Sequence, residues 1–356
     1  MVAWANGKNV VVLGAGATRG AEFVGGNKST CIPPLDADFF TQLQRVKATN
    51  RQRDIDAVIA DVVSSFGSNF HLTLEEYFTH IEALRRGGSL LLSRSSKKYS
   101  VAALNERRAH LLDALSAVLE ESAYVTRSAS PAVMRPCGHH RAVVDALNPP
   151  DSIISFNYDC LIDDALRKSS RPVWSPKYGY GFPNPARIDP ATAKHWSIPG
   201  VTTTQNATIR LFKLHGSLNW RPLPDNDGDV IYFRAKTYKQ NGQKRFEIIP
   251  PEFFKEIERE PFRTLWTRAT SALRAVETLV LVGFSFPETD QLVEAMFRMG
   301  LEDNKSLKRL VVVNPSATDR ERIRRVCAEI LSRRKCRVVE FDHLSDLAPN
   351  AKALLV

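Results

Sequence analysis

The sequence predicts an α/β fold, a Rossmann-like doubly wound parallel sheet with a large helical insertion after the first strand. Five short, apolar, β-branched runs at 10–13, 153–156, 209–214, 278–282 and 310–313 read as strands buried on both faces, and a sixth follows at 337–341. Helical patterns lie between most of them, at 160–168, 251–276, 290–299 and 318–332. Strand alternating with helix is the signature of a parallel sheet covered by crossover helices. The third observation is a gap. Roughly 140 residues separate the first two strands, far more than one crossover helix needs.

The gap is mostly helical. Ile55, Val58, Ile59, Val62 and Val63 fall on one face. So do Leu74, Phe78, Ile81 and Leu84, and further on Leu111, Leu112, Leu115, Val118 and Leu119. The reading is one domain, 1–356, carrying a helical insertion at 35–148. Stretches 171–205 and 222–242 read as loops.

Bulk composition bounds the function. The chain has 356 residues, 43% hydrophobic and 25% charged, enough to bury a full core. No apolar run approaches the roughly 20 residues that cross a bilayer, and residues 1–8 lack signal-peptide architecture. The five cysteines are scattered and odd in number, which argues against a disulfide framework and for a reducing, cytoplasmic setting. The net charge of +10 favours anionic partners. It is densest at 320–337, where Arg320, Arg322, Arg324, Arg325, Arg333, Arg334, Lys335 and Arg337 accompany a helical apolar stripe. That segment reads as a solvated basic helix face, or alternatively as a docking surface for nucleic acid or a partner.

Candidate site residues come from the ends of the strands, where open α/β sheets bind ligands. The first strand runs into Gly14-Ala15-Gly16-Ala17, a loop whose glycines allow backbone to approach a pyrophosphate. Gly20 sits one residue late for the dinucleotide fingerprint, and no second strand ends in an acid about twenty residues on. An ordinary nicotinamide dehydrogenase is therefore disfavoured. The second strand ends in Asn157-Tyr-Asp159, the third in His215-Gly216-Ser217, the fourth in Gly283-Phe-Ser285, the fifth in Asn314. Each has a bland alternative. Asn157 also reads as a turn residue, Asp159 as a helix cap, His215 as a core histidine, and Asp290 as the cap of the helix that follows it. Cys137-Gly-His139-His140 is the sole metal-like cluster and lacks a second half, so no metal is expected.

Taken in order, GAGA, SFNYD, KLHGSL, VGFS and VVNPS resemble the silent-information-regulator, or sirtuin, superfamily. The resemblance implies that Gly14, Ala15, Gly16 and Ala17 hold NAD+, with Gly216, Ser217, Gly283, Ser285 and Asn314 completing the nucleotide site. It implies catalytic roles for Asn157, which holds a water or the ribose, for His215 as base on the ribose hydroxyls, and for Asp159 in orienting them. The two Cys-x-x-Cys pairs of deacylating sirtuins are absent from the sequence. Glu75-Glu76-Tyr77-Phe78 resembles a divergent bacterial branch whose members deplete NAD+ in antiviral defence.

The expected activity is therefore an NAD+ glycohydrolase that releases nicotinamide and ADP-ribose with NAD+ as substrate, an effector of abortive infection. Alternatives are an NAD-dependent protein deacylase and a non-catalytic subunit that senses NAD or ADP-ribose in a nucleic-acid-associated complex. The chain ends at Val356, soon after the last expected strand, so control is expected from elsewhere. The resemblance implies a homo-oligomer or an activator, such as a DNA-translocating (HerA-like) ATPase or a nucleic-acid-guided protein. Nucleic acid itself is the further candidate at 320–337, and no membrane is expected.

Overall fold

The computed structural model describes residues 6–25, 31–47, 51–91, 97–127, 130–188, 208–222, 230–232, 247–252, 255–287, 290–333 and 335–355. All six apolar runs become strands of one sheet: β1 (Asn9–Leu13), β2 (Ser152–Ser155), β3 (Arg210–Lys213), β4 (Thr278–Val282), β5 (Arg309–Val313) and β6 (Arg337–Phe341). Their spatial order is β3-β2-β1-β4-β5-β6, every pair parallel. Val11, Val12, Ile153, Ile154, Leu279, Val280 and Leu281 are fully buried. This is why these strands are unbroken apolar runs rather than alternating ones. β6, at the edge, alternates toward solvent and carries Arg337 and Glu340, charges that discourage further pairing.

Register fixes where the loops emerge. Leu13 lies opposite Ser155 on one side and Val282 on the other, while Ser155 faces Lys213 and Val282 faces Val313. The strands therefore end level. The order of strands turns back between β1 and β4, so the loops after β1, β2 and β4 share the switch point of the sheet.

The helices differ from expectation in their limits. The one expected at 251–276 is confined to Phe262–Ala275, because Pro261, at its N-cap, has no N–H to continue a helix through. Its buried face is Phe262, Leu265, Trp266, Ala269, Ala272 and Leu273. The run 318–332 is two helices, Ala317–Val326 and Ala328–Arg333, parted at Cys327. The others are Leu161–Arg167 and Gln291–Glu302. The expected loops contain a small sheet, Val230–Tyr232 paired antiparallel with Trp220–Pro222 and parallel with Arg187–Ile188. The remainder of 222–242 and residues 189–205 lie outside the described residues. Some of the basic side chains of 320–337 are engaged. Arg320 meets Glu340 and Asp342, Arg324 meets Glu321 and Glu340, and Arg333 meets Glu329; Arg334 is outside the described residues.

Two compact units emerge. The sheet unit comprises 1–26, 127–248 and 257–356; the second comprises 27–126 and 249–256. The expected 35–148 segment is thus divided, with helix Gly138–Ala146 belonging to the sheet unit. The second unit packs helices Gln52–Phe66, Leu74–Leu91 and Val101–Ala123. Ile55, Val58 and Val62 are buried there with Leu74, Tyr77, Phe78 and Ile81, whereas Val63 is 39% exposed. The Glu75–Phe78 motif is structural. Glu76 and Thr73 exchange hydrogen bonds across the start of the helix, Tyr77 donates to Asp61, and Phe78 is core. Among the described residues no helix is long and apolar enough to cross a membrane.

Candidate active site at the sheet switch point

The loop after β1 and the loop after β4 are packed backbone to backbone. Gly14 N–H donates to Val282 O and Gly16 N–H to Gly283 O, at 3.0 and 2.9 Å. A Cβ on Gly14 would lie 2.4 Å from Gly283 O, and one on Gly283, whose φ is +57°, would lie 2.2 Å from Ala17 N. Glycine is required here for the mutual approach of two loops, before any ligand is considered. Ala17 is fully buried, while Ala15 is exposed and Gly16 half-buried, so these two form the outward face of the loop.

The loop after β2 is tied to the same place by side chains. Asn157 Nδ2 donates to Gly14 O at 2.9 Å and to Thr18 Oγ1 at 3.0 Å. Thr18 Oγ1 in turn donates to Asp159 Oδ2 at 2.8 Å. Asp159 Oδ1 accepts the N–H of Leu161 at 2.9 Å, an Asx turn that opens the helix Leu161–Arg167. Asp159 therefore serves as a local turn-former and as the end of a side-chain relay. Both hydrogens of the Asn157 amide are committed, and among the described residues its Oδ1 accepts nothing. Asn157 is half-buried, so it presents a lone acceptor at the surface of the switch point.

His215, two residues past β3, is 7% exposed. Its ring meets the edge of Phe156 at 5.2 Å and lies 6.2 Å from Tyr158 and 6.4 Å from Trp266, centroid to centroid. Phe156 stacks on Phe284 at 4.5 Å, which brings the β2 and β4 loops together beside the imidazole. Gly216 has φ +81° and pairs with Ile248, so closely that a Cβ would lie 2.1 Å from Glu247 O. Ser217 is fully buried, its hydroxyl toward Tyr158 O. These two residues hold the loop through local pairing and burial. Ser285 is half-buried beside Phe284 and Phe286 in the chain. Asn314 is 5% exposed and spends its Oδ1 on Ser316 N–H.

Several residues were missed by the sequence reading. Thr18 joins Asn157 to Asp159, and its only signal was a hydroxyl on the first helical turn after the glycines. Lys213 had a louder one, a charge within an apolar parallel strand, which demands a buried partner. Its ammonium donates to Asp163 Oδ2 at 3.1 Å and to Asp159 O, with both side chains fully buried. Burial opposes the charge on Lys213, but Asp163, Cys160 and Asp159 outweigh it and raise its pKa. Tyr180 donates to Asp163, and Asn219 donates to Tyr180 Oη. Cys160, pushed up to about 12 by burial, is a neutral thiol and no nucleophile. Elsewhere, Cys137 Sγ lies 3.1 Å from His140 Nδ1. Burial lowers the imidazole to about 3 and raises the thiol. This pair is an uncharged packing contact.

A Rossmann-like sheet with polar residues at its switch point has the architecture that binds nucleotide ligands. The family model for the SIR2-like domain matches residues 151–333, over half the chain, and the chain belongs to this SIR2-like family. The matched region contains Asn157, Asp159, His215, Gly283, Ser285 and Asn314, while the glycine loop precedes it. SIR2-like domains bind NAD+, and the family comprises NAD-dependent enzymes. A comparison with curated proteins finds no match.

Proposed function

We propose that the protein is an NAD+ glycohydrolase that cleaves NAD+ to nicotinamide and ADP-ribose. The observation that carries this reading is the committed amide of Asn157. With both N–H groups spent on Gly14 and Thr18, the side chain offers only Oδ1, and its partner must be a donor. A water molecule and a ribose hydroxyl are both such donors. The nicotinamide–ribose bond breaks with positive charge developing on the ribose, as in glycoside hydrolysis, and the leaving group departs neutral. A carbonyl dipole directed at the sugar or its attacking water stabilises that charge. His215, walled by Phe156 and Trp266, is the base that takes a proton from the ribose or the water.

The same reading makes the protein an NAD-depleting effector of antiphage defence. Its control would come from assembly into a homo-oligomer or from an activator such as a DNA-translocating ATPase or a nucleic-acid-guided protein. The test is incubation of purified protein with NAD+, with chromatography for nicotinamide and ADP-ribose. Release of both without an acylated peptide supports the proposal. Strict dependence on an acyl-lysine peptide would overturn it. Light scattering at micromolar concentration, alone and with DNA, tests the assembly.

A further inference from the structure

Asp290 stands where the sequence suggests a helix cap, yet its carboxylate does not cap. The backbone carbonyl takes the N–H groups of Val293 and Glu294, at 3.1 and 3.2 Å, while the side chain makes no cap hydrogen bond. Asp290 is 5% exposed, and its Oδ2 lies 3.9 Å from Nε2 of His215. Phe286 adopts φ +51°, rare for a bulky residue, and Asp290 N–H donates to Pro287 O at 2.9 Å. The Phe286 ring sits edge-on between Phe284 and Phe297, at 4.9 and 4.8 Å, and Arg322 donates to its carbonyl at 3.2 Å. Phe286 is thus held from three sides, by Phe284, Phe297 and Arg322, four residues ahead of the carboxylate that lies near the imidazole.

We propose that Asp290 is a positioning residue for His215, its carboxylate drawing the Nε2–H of the ring and leaving Nδ1 as the proton acceptor. A carboxylate at ion-pair distance in a water-poor setting favours the imidazolium and so strengthens the base. The gap of 3.9 Å is the length of an ion pair, longer than a hydrogen bond. Phe156 and Trp266 do not titrate, Tyr158 brings a phenol at 6.2 Å, and Lys213 is turned to Asp163. This assignment rests on the glycohydrolase reading only for its catalytic consequence. The pairing itself is tested without turnover.

The experiment uses full-length protein with isotope-labelled histidine, the His215 signal being assigned by its loss in His215→Gln. The His215 titration midpoint is read by nuclear magnetic resonance in the native protein, in Asp290→Asn and in Asp290→Ser. Both substitutions retain good helix caps, so a capping role predicts no change. The expected result is a midpoint lower by about one unit, a roughly tenfold weaker base. The acid limb of kcat/KM for NAD+ moves by the same amount, with KM little altered. An unchanged midpoint in whichever variant folds overturns the proposal. Should the native protein fail to release nicotinamide, the glycohydrolase reading falls, and the titration still decides the pairing.

Discussion

Replacing Thr18 by Val removes one hydroxyl from a relay that begins at Asn157 and ends at Asp159. Thr18 is 3% exposed and Asp159 4% exposed, so water cannot take the place of the lost group. Val matches Thr in volume, and no cavity is opened. The carboxylate loses a charge-assisted hydrogen bond of 2.8 Å while keeping the one from Leu161 N–H. A buried acceptor left short in this way costs about 1–3 kcal/mol. For a unit of this size that lowers Tm by roughly 2–6 °C. The Asn157 amide keeps its bond to Gly14 O but loses the one that fixes its rotation. Misplacement of a positioned group on this scale reduces turnover on the order of 10²-fold. The assay is nicotinamide release per folded molecule, with melting followed in parallel and Thr18→Ser as the control that restores the hydroxyl. If Thr18→Val cleaves NAD+ at the native rate once folded, Asn157 is not held by Thr18 for catalysis, and the relay is structural only.

Asn157→Ala is expected to lower turnover by about 10²–10³, measured as nicotinamide release, at a stability cost of about 1 kcal/mol for the lost hydrogen bonds. Lys213→Met leaves Asp163 buried without its cation and should cost about 3–5 kcal/mol in urea unfolding. Tyr180→Phe, with the pair intact, should cost about 1 kcal/mol. Gly283→Ala should yield little folded protein in a thermal-melt assay, since its Cβ would fall 2.2 Å from Ala17 N at φ +57°. In the second unit, burial pushes Glu252 from 4.5 up to about 7, with Arg108 opposing and Glu82 assisting. The folded value lies above the unfolded one, so its stabilising contribution is complete below pH 4.5 and is lost as pH rises through about 7. Glu252→Gln should therefore gain on the native protein between pH 5 and pH 8, by about 2–3 kcal/mol in urea melts.

The strands were legible because a sheet buried on both faces leaves no polar position to blur the run. Val10–Leu13 and Thr278–Val282 are apolar throughout apart from Thr278, and β4 was delimited to the residue. Helix limits were less legible. Pro261 was read through because the apolar spacing after it is strong, although its missing N–H was sufficient reason to stop. At the site, Asn157, Asp159 and His215 were visible as polar residues at strand ends. Thr18 and Asp290 were not, since each is ordinary for its local position and acquires its partner from a segment more than 70 residues distant in the chain. The three glycines at the switch point were legible as glycines only. Their packing against one another depends on register between β1 and β4, which no local pattern reports.

The central position of β1 has a consequence for biosynthesis. Its two neighbours are β2 and β4, so residues 9–13 find one partner at 152–155 and the other only at 278–282. A nascent chain on the ribosome that has passed residue 250 can form β1, β2 and β3, yet still presents the far edge of β1 as an unpaired apolar template. Such edges invite pairing with other chains, and closure of so long a loop is slow. The partly made sheet therefore stays prone to mispairing until β4 emerges. The arrival of β4 also brings Gly283 against Gly16 and Asp290 toward His215. Any product of premature termination before residue 278 lacks that half of the switch point, which keeps an incomplete translation product from acquiring the assembled site.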